Sequence, residues 1–164
     1  MTAKCALILD LDDTLVDTGC LAVLRNERAW KECVRRIGET SVFPGLREVL
    51  DELRARRVSV GIVTASVSYY ARAVLKHHGI ASDALVAFHD CSPRKPHPAP
   101  IQLCLKLISA SPDEAAGLGD ADIDATAYRA AGVISLGAGW SPSVNHAQGW
   151  DAVLGEPHEL LNYF

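Results

Sequence analysis

The run Ala6-Leu7-Ile8-Leu9 leads straight into Asp10, Asp12, Asp13 and Asp17, so a strand-length apolar segment meets four carboxylates within eight residues. A short continuous apolar run of this kind fits a strand buried on both faces, as in a parallel sheet. Open α/β sheets bind ligands in the crevice beyond the carboxyl ends of their strands, so Asp10 and Asp12 are expected where a substrate reaches them. Acids packed this closely repel one another by roughly 4 kcal/mol per close pair at an effective dielectric of about 20. A divalent cation relieves that repulsion, and hard carboxylate oxygens suit Mg²⁺. Taken alone, the stretch is equally explained as an acidic turn whose aspartates bond to their own backbone.

The rest of the chain repeats the motif of an apolar run ending in a polar group. Val58 to Val63 ends at Thr64. Ala84 to Phe88 is followed by a proline-rich loop, His89 to Pro98, that carries Lys95. Ala115 to Leu118 ends in Gly119-Asp120-Ala121-Asp122-Ile123-Asp124, and further strands are read at Val133 to Leu136 and Ala152 to Leu154. Helical periodicity fills the intervals at Leu46 to Arg56, Val67 to His78, Pro100 to Ile108 and Ile123 to Ala131, with a last helix from Pro157. Alternation of strand and helix predicts a doubly wound, Rossmann-like parallel α/β sheet of about five to six strands with helices on both faces. A chain of 164 residues accommodates this as a single domain.

Between Asp17 and the Phe43-Pro44-Gly45 turn lies one short insertion, about residues 18–42. Trp30, Val34 and Ile37 recur at helical spacing, which predicts one amphipathic helix within Leu21 to Ile37, ended by Gly38. Arg28, Lys31 and Arg35 fall on its opposite face.

Net charge −4 and a pI near 5.8 argue against nucleic acid or an anionic membrane as partner. No apolar run nears the ~20 residues that span a bilayer and no secretory pattern opens the chain, so a cytoplasmic location is expected. The five cysteines are odd in number and lack C-x-x-C spacing; reduced, mostly buried thiols are expected.

Asp10, Asp12, Thr64, Lys95, Asp120 and Asp124 would line one rim, and phosphoryl transfer needs such a set: a nucleophile, a cation, hydrogen-bond donors and an acid for the leaving group. The stretches Asp10-Leu11-Asp12-Asp13-Thr14-Leu15, Ile62-Val63-Thr64, Lys95-Pro96 and Gly119 to Asp124 resemble, in order and approximate spacing, the four motifs of the haloacid dehalogenase superfamily. The resemblance covers nearly the whole chain.

It implies an enzyme in which Asp10 is the nucleophile that forms an aspartyl-phosphate and Asp12 is the general acid and base. Mg²⁺ would be held by the Asp10 and Asp120 carboxylates and the Asp12 backbone carbonyl, with Asp124 as an outer ligand or the partner of Lys95. Thr64 would donate to a phosphoryl oxygen, and Lys95 would neutralise phosphate charge. Asp122 is read as a helix N-terminal acid. Dehalogenating members lack an acid at the position of Asp12, so a phosphatase acting on a phosphomonoester is implied, its substrate either a small molecule or the exposed phosphate of a larger one.

The insertion is too short for a full cap domain. The open site this leaves disfavours a phosphomutase, which must shield its intermediate from water, and makes hydrolysis the simpler outcome; phosphotransfer to a sugar or alcohol acceptor would use the same residues. A receiver-like phospho-aspartate module is a further alternative, and a homo-oligomer whose second subunit serves as lid is compatible with the sequence. Arg28, Lys31 or Arg35 either contacts an anionic part of the substrate or belongs to a solvated face, the commoner fate of such a row, and His97 lies either at the substrate entrance or on the surface. Trp140 is read as a packing residue.

Overall fold

The computed structural model describes residues 4–146 and 149–164. In chain order the strands are β1 (Ala6–Leu9), β2 (Val16–Asp17), β3 (Ser41–Val42), β4 (Ser59–Val63), β5 (Ala84–Val86), β6 (Ala115–Gly119), β7 (Ile134–Ala138) and β8 (Ala152–Leu154). The α-helices are α1 (Ala22–Asn26), α2 (Trp30–Arg35), α3 (Leu46–Ala55), α4 (Ser68–His77), α5 (Ala99–Leu107) and α6 (Asp122–Ala130). Six strands form one all-parallel sheet in the order β5-β4-β1-β6-β7-β8. From β1 the chain winds outward through β4 and β5, then crosses to β6 and winds outward on the other side. The reversal puts the topological switch point at the carboxyl end of β1, where a doubly wound sheet opens its crevice.

Register aligns the chemistry. Leu9 lies opposite both Ile62 of β4 and Leu118 of β6. Asp10, one residue beyond Leu9, therefore emerges between the ends of β4 and β6, where Thr64 and Asp120 follow, and its N–H still donates to the Leu118 carbonyl at 3.0 Å.

The two-residue period of β1 divides the core. Leu7 and Leu9 pack with Leu46, Val49 and Leu53 of α3 and Val74 of α4, while Ala6 and Ile8 pack with Ile101 and Cys104 of α5 and Tyr128 of α6. Helices on both faces leave no solvated side to a central strand, which is why β1 reads as continuous apolar sequence. Gly117 in β6 admits the Tyr128 ring so closely that a Cβ there would overlap it.

Most predicted elements stand within a residue or two of their expected ends, but the insertion differs. In place of one helix there are two, broken around Arg28, which adopts the left-handed conformation with φ 57°. The Ala29 N–H reaches back to the Leu24 carbonyl at 2.8 Å and the Arg28 N–H to that of Arg25 at 3.0 Å, bonds that close α1 at its C-terminus. Glycine usually holds such a position, so an arginine there gave no warning of the break.

Asp17 and Ser41 pair across the antiparallel ribbon β2–β3, which closes the base of the insertion and escaped prediction because each strand has only two residues. The last segment, Pro157–Tyr163, is a 3₁₀ helix. All five cysteines are free, but only Cys33 and Cys104 are buried, so the expectation of mostly buried thiols is corrected. Cys5 and Cys20 occur at exposed positions outside the core. Among the described residues no helix is long and apolar enough to cross a membrane.

Substituting Gly117→Ala forces a methyl group into the Tyr128 ring. Overpacking of this kind destabilises by about 1–3 kcal/mol, expected in thermal denaturation as a Tm lower by several degrees.

Candidate active site

Asp10, Asp12, Thr64, Lys95, Asp120 and Asp124 line one cleft of about 180 Å³ at the carboxyl ends of β1, β4 and β6. Lys95 lies at its floor with a side chain only 4% exposed. Its Nζ donates to Asp10 Oδ1 at 3.0 Å, Asp124 Oδ1 at 2.6 Å and the Val63 carbonyl at 3.0 Å. Burial opposes its charge, but the adjacent Asp10 and Asp124 carboxylates prevail and raise its pKa. Asp124 also accepts from the Ala121 N–H at 3.1 Å through Oδ2, capping α6. Gly119 makes this approach possible, since a Cβ there would lie 2.5 Å from that of Asp124.

Oxygens of Asp10, Asp120 and Asp124 all lie within 4.8 Å of one another. Against these three buried acids stands the single ammonium of Lys95. Burial pushes the Asp10 carboxyl well above the usual range; Lys95 opposes the shift, and Asp124, Asp120 and Asp12 add to it. Asp120 is pushed up to about 6, chiefly by burial, although it accepts a 2.8 Å hydrogen bond from Thr14 Oγ1. A surplus of hard oxygen donors with too little positive charge is the chemistry of a Mg²⁺ site, and these residues fit that ion.

The Asp12 side chain points away from this cluster. Its Oδ1 accepts from Thr18 Oγ1 and Tyr70 OH, both at 2.8 Å, and its Oδ2 from Ser66 Oγ at 2.6 Å. Arg25 joins them, with Nε 3.7 Å from Asp12 and Nη2 2.8 Å from Asp13. Asp13 has φ 60° and also accepts from the Thr18 N–H at 3.2 Å.

Thr18, Arg25, Ser66 and Tyr70 escaped the sequence reading. Ser66 had a usable signal, two residues beyond Thr64 at the same strand end. Tyr70 carries the periodicity of a core residue, and its ring is indeed buried. Arg25 was masked by the assumption of one continuous helix, which assigned importance to the row beginning at Arg28.

The remaining candidates lie outside the cleft. Arg35 pairs with Glu32 at 3.2 Å and is 77% exposed, and Lys31 is exposed beside it. Exposed His97 accepts from the Ala99 N–H at 3.1 Å through Nδ1, at the start of α5. Arg28 faces a neighbouring groove. Asp122 begins α6 as expected, and Trp140 packs with its Nε1 donating to the Thr14 carbonyl at 3.0 Å.

Fold and sequence together define the class: the chain belongs to the haloacid dehalogenase-like hydrolase family, whose profile matches residues 21–138. It is 24% identical over 178 aligned positions to pyrophosphatase PpaX of Oceanobacillus iheyensis, covering 82% of this chain and 83% of that protein. Phosphoglycolate phosphatase of Rhodospirillum rubrum is 35% identical over 95 positions, covering 57% of this chain and 39% of that protein, so the match spans less than half of that relative's length. Among solved structures, CbbY from Rhodobacter sphaeroides in complex with phosphate superposes with a TM-score of 0.84 at 16% identity over 96% of each chain, a likeness of fold.

The raised carboxylates give a signed prediction. Asp120 holds a proton in the folded state that the unfolded chain has already released, so without metal its contribution to stability falls as pH rises from about 4 through about 6. Divalent cation binding requires the ionised forms and is therefore favoured at higher pH. In EDTA, Asp120→Asn is expected to flatten the fall in Tm between pH 5 and 7. Mg²⁺ at 100 times its Kd is expected to add about 2.7 kcal/mol at neutral pH, several degrees in Tm, and distinctly less at pH 5.

Proposed function

We propose that this chain is a Mg²⁺-dependent phosphatase that hydrolyses a phosphomonoester through an aspartyl-phosphate on Asp10. The observation that carries the reading is Lys95 bridging Asp10 and Asp124 inside the three-acid cluster, with Asp12 on the same cleft. A buried lysine held by a carboxylate of a strand end is a preorganised charge for an incoming phosphoryl group, and it fixes the orientation of the Asp10 side chain.

In the first step an Asp10 carboxylate oxygen attacks phosphorus in line. The bond from phosphorus to the leaving alcohol oxygen breaks, and that oxygen takes its proton from the Asp12 carboxyl. In the second, the Asp12 carboxylate takes a proton from water as the water oxygen attacks phosphorus. The bond from Asp10 to phosphorus then breaks, and inorganic phosphate leaves. Thr64 Oγ1 accepts from the Ser66 N–H at 3.0 Å, which aims its own O–H toward an oxygen of the phosphoryl group. Mg²⁺, held by Asp10, Asp120 and the Asp12 backbone carbonyl with Asp124 as an outer acid, would supply positive charge to the phosphoryl oxygens.

The names of the two sequence relatives support phosphate release: one is a phosphoglycolate phosphatase and the other a pyrophosphatase. Hydrolysis is favoured over transfer to another acceptor because the insertion offers only two short helices to exclude water.

A phosphate-release screen over phosphorylated metabolites is expected to show turnover that EDTA removes and that Asp10→Asn abolishes. Full activity of that variant, or metal-independent release, contradicts the mechanism. General acid work by Asp12 has its own signature. Asp12→Asn should lose about 10²–10⁴-fold in kcat/KM on alkyl phosphates and much less on p-nitrophenyl phosphate, whose leaving group needs no proton; equal losses on both would remove Asp12 from that role.

A further inference from the structure

Beside the catalytic cleft runs a second cavity of about 330 Å³, lined by Arg28, Trp30, Val67, Tyr69, Phe88 and His89. Four of its six lining residues carry rings. Its position follows from the chain itself: Ser66 lines the cleft and Val67 the groove, and within the insertion Arg25 lines the cleft while Arg28 lines the groove. One layer of side chains separates the two. Trp30 packs on Tyr70 with ring centroids 5.4 Å apart, and Tyr70 OH donates to Asp12 at 2.8 Å.

Resting on the reaction proposed above, we infer that this groove is the leaving-group subsite and that it takes a planar heteroaromatic ring of the nucleoside class. Asp12 is the group that protonates the leaving oxygen, so the carbon skeleton of the leaving alcohol begins at Asp12. The groove follows along the same rim, where Ser66 and Arg25 of the cleft give way to Val67 and Arg28.

The lining selects the chemistry of the occupant. Tyr69 is 49% exposed, a large apolar surface left uncovered at the start of α4. Phe88 is fixed by Arg94, whose guanidinium carbon lies 3.7 Å from the ring centroid while its Nε donates to the Phe88 carbonyl at 2.8 Å. The guanidinium carbon of Arg28 stands 5.9 Å from the same ring, beyond stacking contact, and among the described residues it has no carboxylate partner. A cation and several ring faces bordering one cavity favour a flat π system carrying acceptor atoms, since ring faces stack on a nucleobase and a guanidinium lies over its plane or bonds to its edge. An aliphatic chain would fill the volume but leave the guanidinium unused. The strained backbone of Arg28 places this base at the groove and separates it from the solvent-exposed pair Lys31 and Arg35.

The test compares adenosine 5′-monophosphate, glycerol phosphate and hexyl phosphate as substrates of the wild type, Tyr69→Ala and Arg28→Ala in Mg²⁺. The wild type is expected to prefer the nucleotide over both aliphatic esters by at least about tenfold in kcat/KM, consistent with the worth of one base–aromatic stack. Each variant is expected to reduce that ratio through KM. Adenosine should quench Trp fluorescence of the wild type and lose that binding in a Phe88→Leu variant, a readout independent of turnover. Turnover without nucleotide preference, or preference unchanged in both variants, overturns the subsite. A hexyl phosphate preference overturns it in favour of a plain apolar pocket. A dimer that Tyr69→Ala converts to monomer overturns it in favour of a contact between copies. Absence of phosphate release from every ester defeats the phosphatase reading instead, while adenosine quenching still decides the groove.

Discussion

The buried Lys95 ammonium is the interaction on which the site depends. It joins three elements that are distant in sequence: Asp10 at the end of β1, the Val63 carbonyl at the end of β4, and Asp124 in the first turn of α6. Without that charge, two buried carboxylates would face each other unpaired, an arrangement that costs several kcal/mol. The same bonds leave Asp10 a single orientation toward the cleft. Stability of the rim and aim of the proposed nucleophile thus share one cause.

Asp12 serves a different economy of contacts. Its three hydroxyl donors come from Thr18 at the start of the insertion, Ser66 after β4 and Tyr70 in α4. Arg25 adds a cation whose Nε is buried without a hydrogen-bond partner. Asp12 therefore fastens the insertion to the sheet. Displacement of α1 or α2 would reach Asp12 through Thr18, Arg25 and the Trp30–Tyr70 contact before it reached Asp10.

Much of this was legible in the sequence because parallel strands convert linear order into position. Once β1, β4 and β6 are recognised as buried runs, the residues that follow them, Asp10, Thr64 and Asp120, must share a rim, and register brings them level. Lys95 was harder, since it sits in an irregular loop whose path no periodicity describes; its place after the strand at Ala84 to Phe88 suggested the rim, and the family resemblance gave it a role. The insertion was misread for a local reason. A left-handed arginine at residue 28 breaks a helix without the glycine that normally announces such a break, and the break exchanges which base turns to the cleft. Tyr70 was hidden by its dual character, since a ring buried in the core and a hydroxyl on Asp12 belong to one side chain.

The β2–β3 ribbon has a consequence for how such a chain diversifies. It joins Val16 to Val42 and Asp17 to Ser41, so the ends of everything between them are clamped together independently of the catalytic strands. Closure entropy rises only slowly with loop length, and a segment of another size could be grafted between the clamped ends without moving Asp10, Thr64 or Asp120. The ribbon thus acts as a socket. It lets the segment between its strands be exchanged whole while the ends of β1, β4 and β6 stay level.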